Sequence, residues 1–171
     1  HPDYPLKRNP LMIHAVEGDI LLSKAEAIAH GVAPNDPMNQ GLALSLRERY
    51  PAMHKDYHHW CHQHGAKPGD AWVWGGVGGV RIINLITQPE GPGHKPGKAD
   101  LHDVNHALRA LKRVIAKEKF TSVALPRLAT GVGGLDWADV EPLIEHQLGD
   151  LDIPIYVYIV YHPDQTAKEK A

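Results

Sequence analysis

The stretch LPRLATGVGGLDW, Leu125 to Trp137, joins a short apolar run to a glycine-rich turn and then to a helix start. Ser122 to Leu125 is apolar and carries β-branched Val123, which reads as a buried strand. Beyond the glycines, Asp136 is placed to cap a helix whose apolar positions Trp137, Val140, Leu143, Ile144 and Leu148 share one face. Gly131, Gly133 and Gly134 carry no Cβ to hold an anion off, so consecutive backbone N–H groups there can point at a diphosphate. The following helix N-terminus adds favourable partial charge. A plain strand-to-helix turn needs fewer glycines than the three found here within four residues, so the segment reads as an anion-binding turn of an α/β fold.

Outward from that turn the chain alternates strand-like and helix-like segments. Leu11 to Val16 and Ala27 to Val32 read as strands, and Leu42 to His64 as helix interrupted at Tyr50 and Pro51. Ala71 to Val77 and Arg81 to Thr87 flank Gly78-Gly79 as a hairpin. Leu101 to Lys119 carries Leu101, Val104, Leu108, Leu111 and Ile115 on one face of a long amphipathic helix. The last strand, Ile153 to Val160, is nearly continuous in apolar residues, as expected inside a sheet covered on both faces. These elements predict a three-layer α/β/α domain with a mixed, mostly parallel central sheet over residues 11–160. Residues 1–10 and 161–171 are polar or proline-rich and read as flexible termini.

Composition narrows the function classes. At 171 residues the chain suits one core, and no apolar run approaches the roughly 20 residues that span a bilayer, so no membrane role is expected. A net charge of −2 supplies no overall basic field, so any contact with nucleic acid would be made through a site. The single cysteine, Cys61, excludes an internal disulfide framework and a CxxC motif, and a reducing cytoplasm is the default compartment. A monomer is expected.

The order of motifs resembles a known family. A strand leading to GDI at 18–20, a strand ending in AHG at 29–31, the loop NDPMNQG at 35–41, the helix LALSLRERYP, then LITQ, HKP and LPRLATGVGGLDWADV are together similar to the macrodomain, the ADP-ribose-binding module. Within it the chain looks most like the branch of the terminal ADP-ribose protein glycohydrolase, the DNA ADP-ribosyl glycohydrolase antitoxins and the yeast ADP-ribose-1''-phosphate phosphatase. The resemblance implies that Asp19 accepts a hydrogen bond from the adenine amino group and that Ile20 makes a backbone contact to the ring. A carboxylate accepts but cannot donate, which favours adenine over guanine. Read alone, Asp19 would serve equally as a turn cap. The loop from Asn35 to Gly41 matches the one that closes over the distal ribose and diphosphate, with Asn35, Asp36 and Gln40 as polar contacts and Gly41 and Leu42 opening the next helix. Thr130, Gly131, Val132, Gly133, Gly134 and Leu135 match the second phosphate loop. The first loop departs from the family in having Asn39-Gln40-Gly41 where a GxG pattern is usual.

A larger departure concerns catalysis. The resemblance places the branch's nucleophilic lysine at Gln88 and its assisting acidic residue at Gly134. Glutamine forms no Schiff base and glycine moves no proton, so the covalent lysine route is not supported. Lys95 is poorly spaced to replace the lysine, and Lys98 could do so only if its loop folds back. What remains is a water held by the diphosphate or by Asn35, Asp36 or Gln88, hydrolysing an ester-linked ADP-ribose whose carboxylate is a good leaving group. A second route uses His94 or Asp36 as general acid or base. The expected ligands and partners are ADP-ribose and ADP-ribosylated protein or nucleic acid, with no cofactor. A hydrolase, a non-catalytic reader and an ADP-ribose-1''-phosphate phosphatase all remain open.

Two further clusters read as structural. His54, His58 and His62 fall on one helix face beside Cys61, a spacing able to bind a divalent metal, but a solvated polar face is the simpler reading and no metal is expected. Trp60, Trp72 and Trp74 read as packing groups, as do Tyr156 and Tyr158, and Trp137 as a brace for the phosphate loop.

Overall fold

The computed structural model describes residues 12–170. Six strands, β1 (Ile13–Gly18), β2 (Ala27–Val32), β3 (Ala71–Gly75), β4 (Arg81–Ile86), β5 (Val123–Pro126) and β6 (Ile155–Tyr161), form one sheet in the order β1-β6-β5-β2-β4-β3. All neighbours run parallel except β3, which returns antiparallel on β4 from the glycine-rich turn at 76–79. Four helices, α1 (Gly41–Arg49), α2 (Pro51–His64), α3 (Leu101–Glu118) and α4 (Trp137–Leu148), cover the two faces.

Alternation along β2 and β4 divides the core. Ala27, Ala29, Ile83 and Leu85 face Val104, Leu108 and Leu111 of α3 and Val140 and Ile144 of α4. Val32, Ile82 and Ile86 face Leu46 of α1 and Met53 and Tyr57 of α2. The three-layer reading is thereby realised. Asp100 caps α3 by accepting from the Asp103 N–H at 2.8 Å, and the helix stops where Lys119 turns left-handed with φ 56°. Fully burying Leu108 or Leu111 contributes about 1.5–3 kcal/mol each, and truncation of either to alanine costs about 2–5 kcal/mol once the cavity is counted.

Three expectations are corrected. The last strand starts at Ile155, two residues later than its apolar run, because Pro154 has no N–H for a ladder and offers its carbonyl to Val123 N–H instead. Asp136 occupies the position before α4 but its side chain makes no cap bond. The C-terminal segment, read as flexible, is tied down along its length. The Asp19 N–H donates to Gln165 O, Asp164 N–H donates to Asp19, Tyr156 hydroxyl donates to Lys170 O, and Glu169 accepts from Ser23, Lys24 N–H and Tyr158. Ala167 is buried with Val16, Ile20 and Tyr158, so this segment covers a patch of the sheet beside Leu42 of α1. Gly18 permits it, since a Cβ there would lie 2.8 Å from Gln165 O. Residues 1–10 and Leu11 lie outside the described residues. Among those described, no helix is long and apolar enough to cross a membrane.

Candidate functional site

Parallel strands deliver their following loops to one edge of the sheet, where an open α/β sheet leaves a crevice. Here the loops after β1, β2, β4 and β5 meet at that edge and enclose two adjoining chambers that share Gly41, Leu42 and Pro126. Each holds about 300–360 Å³, and together they offer the room of a dinucleotide-sized ligand.

The first chamber is the less polar, walled by Ile20, Leu21, Leu42, Ser45, Tyr158 and Tyr161, with Asp19 at its side. Asp19 is 5% exposed. One carboxylate oxygen accepts from Leu21 N–H and the other from Asp164 N–H, both at 3.0 Å. The turn-cap role and the ligand role are thus not exclusive, because each oxygen keeps a second lone pair. Tyr158, read as structural, is also part of this wall; burial and the Glu169 carboxylate push its phenol pKa up, so it stays protonated as a donor to Glu169 at 2.6 Å.

The second chamber lies between α1 and the glycine loop. Helix α1 opens at Gly41 with φ 61° and no side-chain cap from Gln40; Leu44 N–H donates to Gln40 O, and the N–H groups of Gly41, Leu42 and Ala43 ahead of it have no partner among the described residues. Opposite them, the loop closes through Gly134 N–H to Gly131 O and Leu135 N–H to Ala129 O, both at 3.0 Å, and Thr130 hydroxyl donates to Arg127 O. Its three glycines have separate reasons. A Cβ on Gly133 would sit 2.6 Å from Ala129 O, and Gly134 has φ 75°, so folding alone requires both. Gly131 has neither constraint and nothing within 4 Å of an added Cβ, so the fold itself does not require glycine there. Gly131, Val132 and Gly133 line the chamber with Gln40, Gly41 and Leu42, whereas Thr130, Gly134 and Leu135 support it from behind. Arg127, Leu128 and Ala129 also line it and were not foreseen. Arg127 lies 5.5 Å over the Trp137 ring.

The polar candidates at the far end turn out to hold their own loops. Asp36, 4% exposed, accepts from Ala33 N–H at 3.0 Å and Met38 N–H at 2.8 Å, and burial raises its pKa despite those bonds. Gln88 donates its amide to Gly97 O at 3.0 Å and so ties the hairpin of residues 88–97. Asn35, at φ 55°, donates through Nδ2 to Glu90 at 3.3 Å, while its Oδ1 is buried without a partner. Glu90 in turn bonds His94, and that bond holds its carboxyl below the usual range. Glu90 was missed because a lone glutamate in a loop carries no sequence signal. The hairpin does fold back: Ala99 N–H donates to Gly133 O at 3.0 Å, and Lys98 Nζ comes to 3.8 Å of the place a Gly134 Cβ would occupy. At the chamber floor His30 bonds Asn84 Oδ1 at 2.7 Å, and full burial lowers its pKa to about 4.

Of the histidines on α2, His54 and His58 have rings 4.7 Å apart, and they do not form a three-ligand metal cluster. Trp60 and Trp72 stack at 5.8 Å, as packing groups should.

Known proteins are similar to this chain in sequence and in fold. A DNA ADP-ribosyl glycohydrolase of Mycobacterium tuberculosis is 35% identical over 151 residues, covering 85% of this chain and 42% of the relative, so the chain spans about two-fifths of that protein. The human ADP-ribose glycohydrolase OARD1 is 26% identical over 144 residues, covering 84% of this chain and 88% of the relative. The solved macrodomain of Mycobacterium tuberculosis DarG superposes with a TM-score of 0.72 at 34% identity, over 84% of this chain and 96% of that one. Residues 25–144 match the Macro domain family, which includes the helix-capped first loop and the whole glycine loop, and the chain belongs to that family.

Proposed function

We propose that the cleft binds ADP-ribose and that the chain hydrolyses the bond joining ADP-ribose to an acidic protein side chain or to nucleic acid. The observation that carries the reading is the facing pair of amide surfaces, the uncapped start of α1 and the loop at 129–135, at the junction of the two chambers. A diphosphate bridging that junction places an adenine beside Asp19 and the distal ribose towards Asp36 and Gln88. The names of the relatives, a DNA ADP-ribosyl glycohydrolase and an ADP-ribose glycohydrolase, support the same substrate class.

With Gln88 at the lysine position, water is the nucleophile. It adds to the anomeric carbon as the bond to the acceptor oxygen or nitrogen breaks, the acceptor leaves with the bonding electrons, and the water proton passes to a base. Glu90 is assigned that base role, because its bond to His94 keeps it ionised and Asn35 fixes its other oxygen. The bound carboxylate also favours positive charge developing on the ribose. A second reading, a reader without turnover, is favoured by the commitment of Asp36 and Gln88 to their own loops.

The test is a time course of ADP-ribose release from glutamate-linked ADP-ribosylated protein and from ADP-ribosylated DNA, beside calorimetric titration with ADP-ribose. Binding with release from either substrate supports the hydrolase. Binding without release leaves the reader, and no binding overturns the assignment of the cleft.

A further inference from the structure

We propose that the first turns of α3 form a binding site for a divalent transition-metal ion, with His102 and His106 as its ligands. The two residues stand four apart, so they share one helix face, and their Nε2 atoms are 3.2 Å apart with the rings at 64°. Two imidazole nitrogens bound to one tetrahedral zinc at 2.0–2.1 Å lie about 3.3 Å apart, so the pair already has the ligand separation. Without an ion, one ring must donate to the other, which fixes opposite tautomers. With an ion, both Nε2 atoms present lone pairs and both Nδ1 atoms carry hydrogen.

For His102 the surroundings suit that pattern. Asp103 Oδ1 lies 3.8 Å from His102 Nδ1, beyond hydrogen-bond reach, so its negative charge alone favours the hydrogen on that nitrogen. Asp100, His102 and Asp103 each have a ligand atom within 4.8 Å of the others, a group that does not include His106, so water fills the remaining positions of an ion held between the two Nε2 atoms. One Asp100 oxygen is used in capping α3, and its other oxygen is not involved in that bond. The positive end of the helix dipole opposes a cation here, and the two carboxylates offset it. His106 is backed by Gly69, whose absent Cβ would lie 3.1 Å from His106 Cβ, so the histidine is seated against the neighbouring loop. The site lies outside the cleft, where α3 begins just past Ala99 and its bond to Gly133, so the ion braces the wall and takes no part in the chemistry.

The test titrates the intact chain with Co²⁺ and Zn²⁺, following visible absorption and calorimetry, with the Tm as an independent readout. The expected result is one saturable site, weakened at least about tenfold by His102→Ala or His106→Ala and about tenfold by Asp103→Asn, but not by His58→Ala on the other histidine-rich face. Saturating zinc raises Tm by about 5 °C or more in the parent and not in the His102→Ala/His106→Ala double variant. Far-UV circular dichroism confirms that the exposed substitutions leave the fold intact. The proposal is overturned if the double variant binds like the parent, if His58→Ala removes the site, or if the parent shows no saturable binding.

Discussion

The glycine loop offers a separation of folding from binding that two single-methyl substitutions can make. At Gly133 an added Cβ meets Ala129 O at 2.6 Å and Ala129 C and Cα at 3.0 Å, all backbone atoms held by the Leu135-to-Ala129 bond, so nothing can move aside cheaply. Overpacking of this kind costs about 1–3 kcal/mol, which for a chain of this size lowers Tm by about 2–12 °C. At Gly131 the added Cβ meets nothing within 4 Å and φ is not in the left-handed region, so Gly131→Ala leaves stability within about 0.5 kcal/mol of the parent. The same methyl protrudes into the chamber where the diphosphate is proposed to lie, and displacing the anion from even one amide weakens ADP-ribose binding by about tenfold, or 1.4 kcal/mol. Thermal denaturation and calorimetric titration of both variants measure the two effects separately. The reasoning is refuted if Gly131→Ala binds ADP-ribose like the parent, or if Gly133→Ala unfolds at the parent's temperature.

Deleting residues 163–171 removes the Asp164 N–H and Gln165 O that fix Asp19, so ADP-ribose affinity measured by calorimetry falls although none of those residues lines the chamber; unchanged affinity would show that Asp19 orients itself. Asp19→Ala strands two backbone donors and costs about 1–3 kcal/mol of stability, read from urea denaturation, in addition to weakening the ligand. Glu90→Gln lowers the single-turnover rate of ADP-ribose release by about 10²-fold while the dissociation constant stays within about twofold, and an equal loss in both would make Glu90 a binding group instead. His30 supplies a pH dependence of known sign. The folded chain keeps it neutral down to about pH 4, whereas the unfolded chain takes up a proton near 6.5, so the unfolded state binds more protons between those values and stability falls as pH drops through them. The loss reaches about 3 kcal/mol by pH 4, and a His30→Gln variant should show a correspondingly flatter decline in urea midpoint over that window.

What the sequence displayed was whatever depends on neighbours a few residues apart. Strand β2 was bounded correctly at Ala27 and Val32, α3 was found from its apolar stripe, and the hairpin from Gly78-Gly79, because each is set by local periodicity or turn chemistry. The C-terminal segment misled because its polar composition resembles a loose end, while its order comes from hydrogen bonds through the Asp19, Ser23 and Glu169 side chains that join positions about 145 residues apart. The one local trace of that contact is Gly18, whose need to be glycine appears only when the segment lies across it.

The polar groups of the site take on roles that residue type alone does not display, and the reason is physical. A loop at the carboxyl edge of parallel strands leaves backbone amides without ladder partners, and a nearby carboxylate or amide side chain is the cheapest group to satisfy them. Asp36 and Gln88 look catalytic by residue type and position, yet each Asp36 oxygen accepts one bond, from Ala33 or Met38, and Gln88 Nε2 donates to Gly97, all within their own loops. A side chain so engaged can move a proton only by releasing the loop that shapes the chamber. Glu90 and His94 have the opposite character: they bond each other at the exposed tip of a hairpin, and losing that bond for a step of chemistry leaves the chamber walls in place. The difference follows from burial, since Asp36 and Gln88 are buried in bonds that shape their loops while Glu90 and His94 are exposed. It is why Glu90, which no motif singled out, is the residue whose substitution should separate turnover from binding.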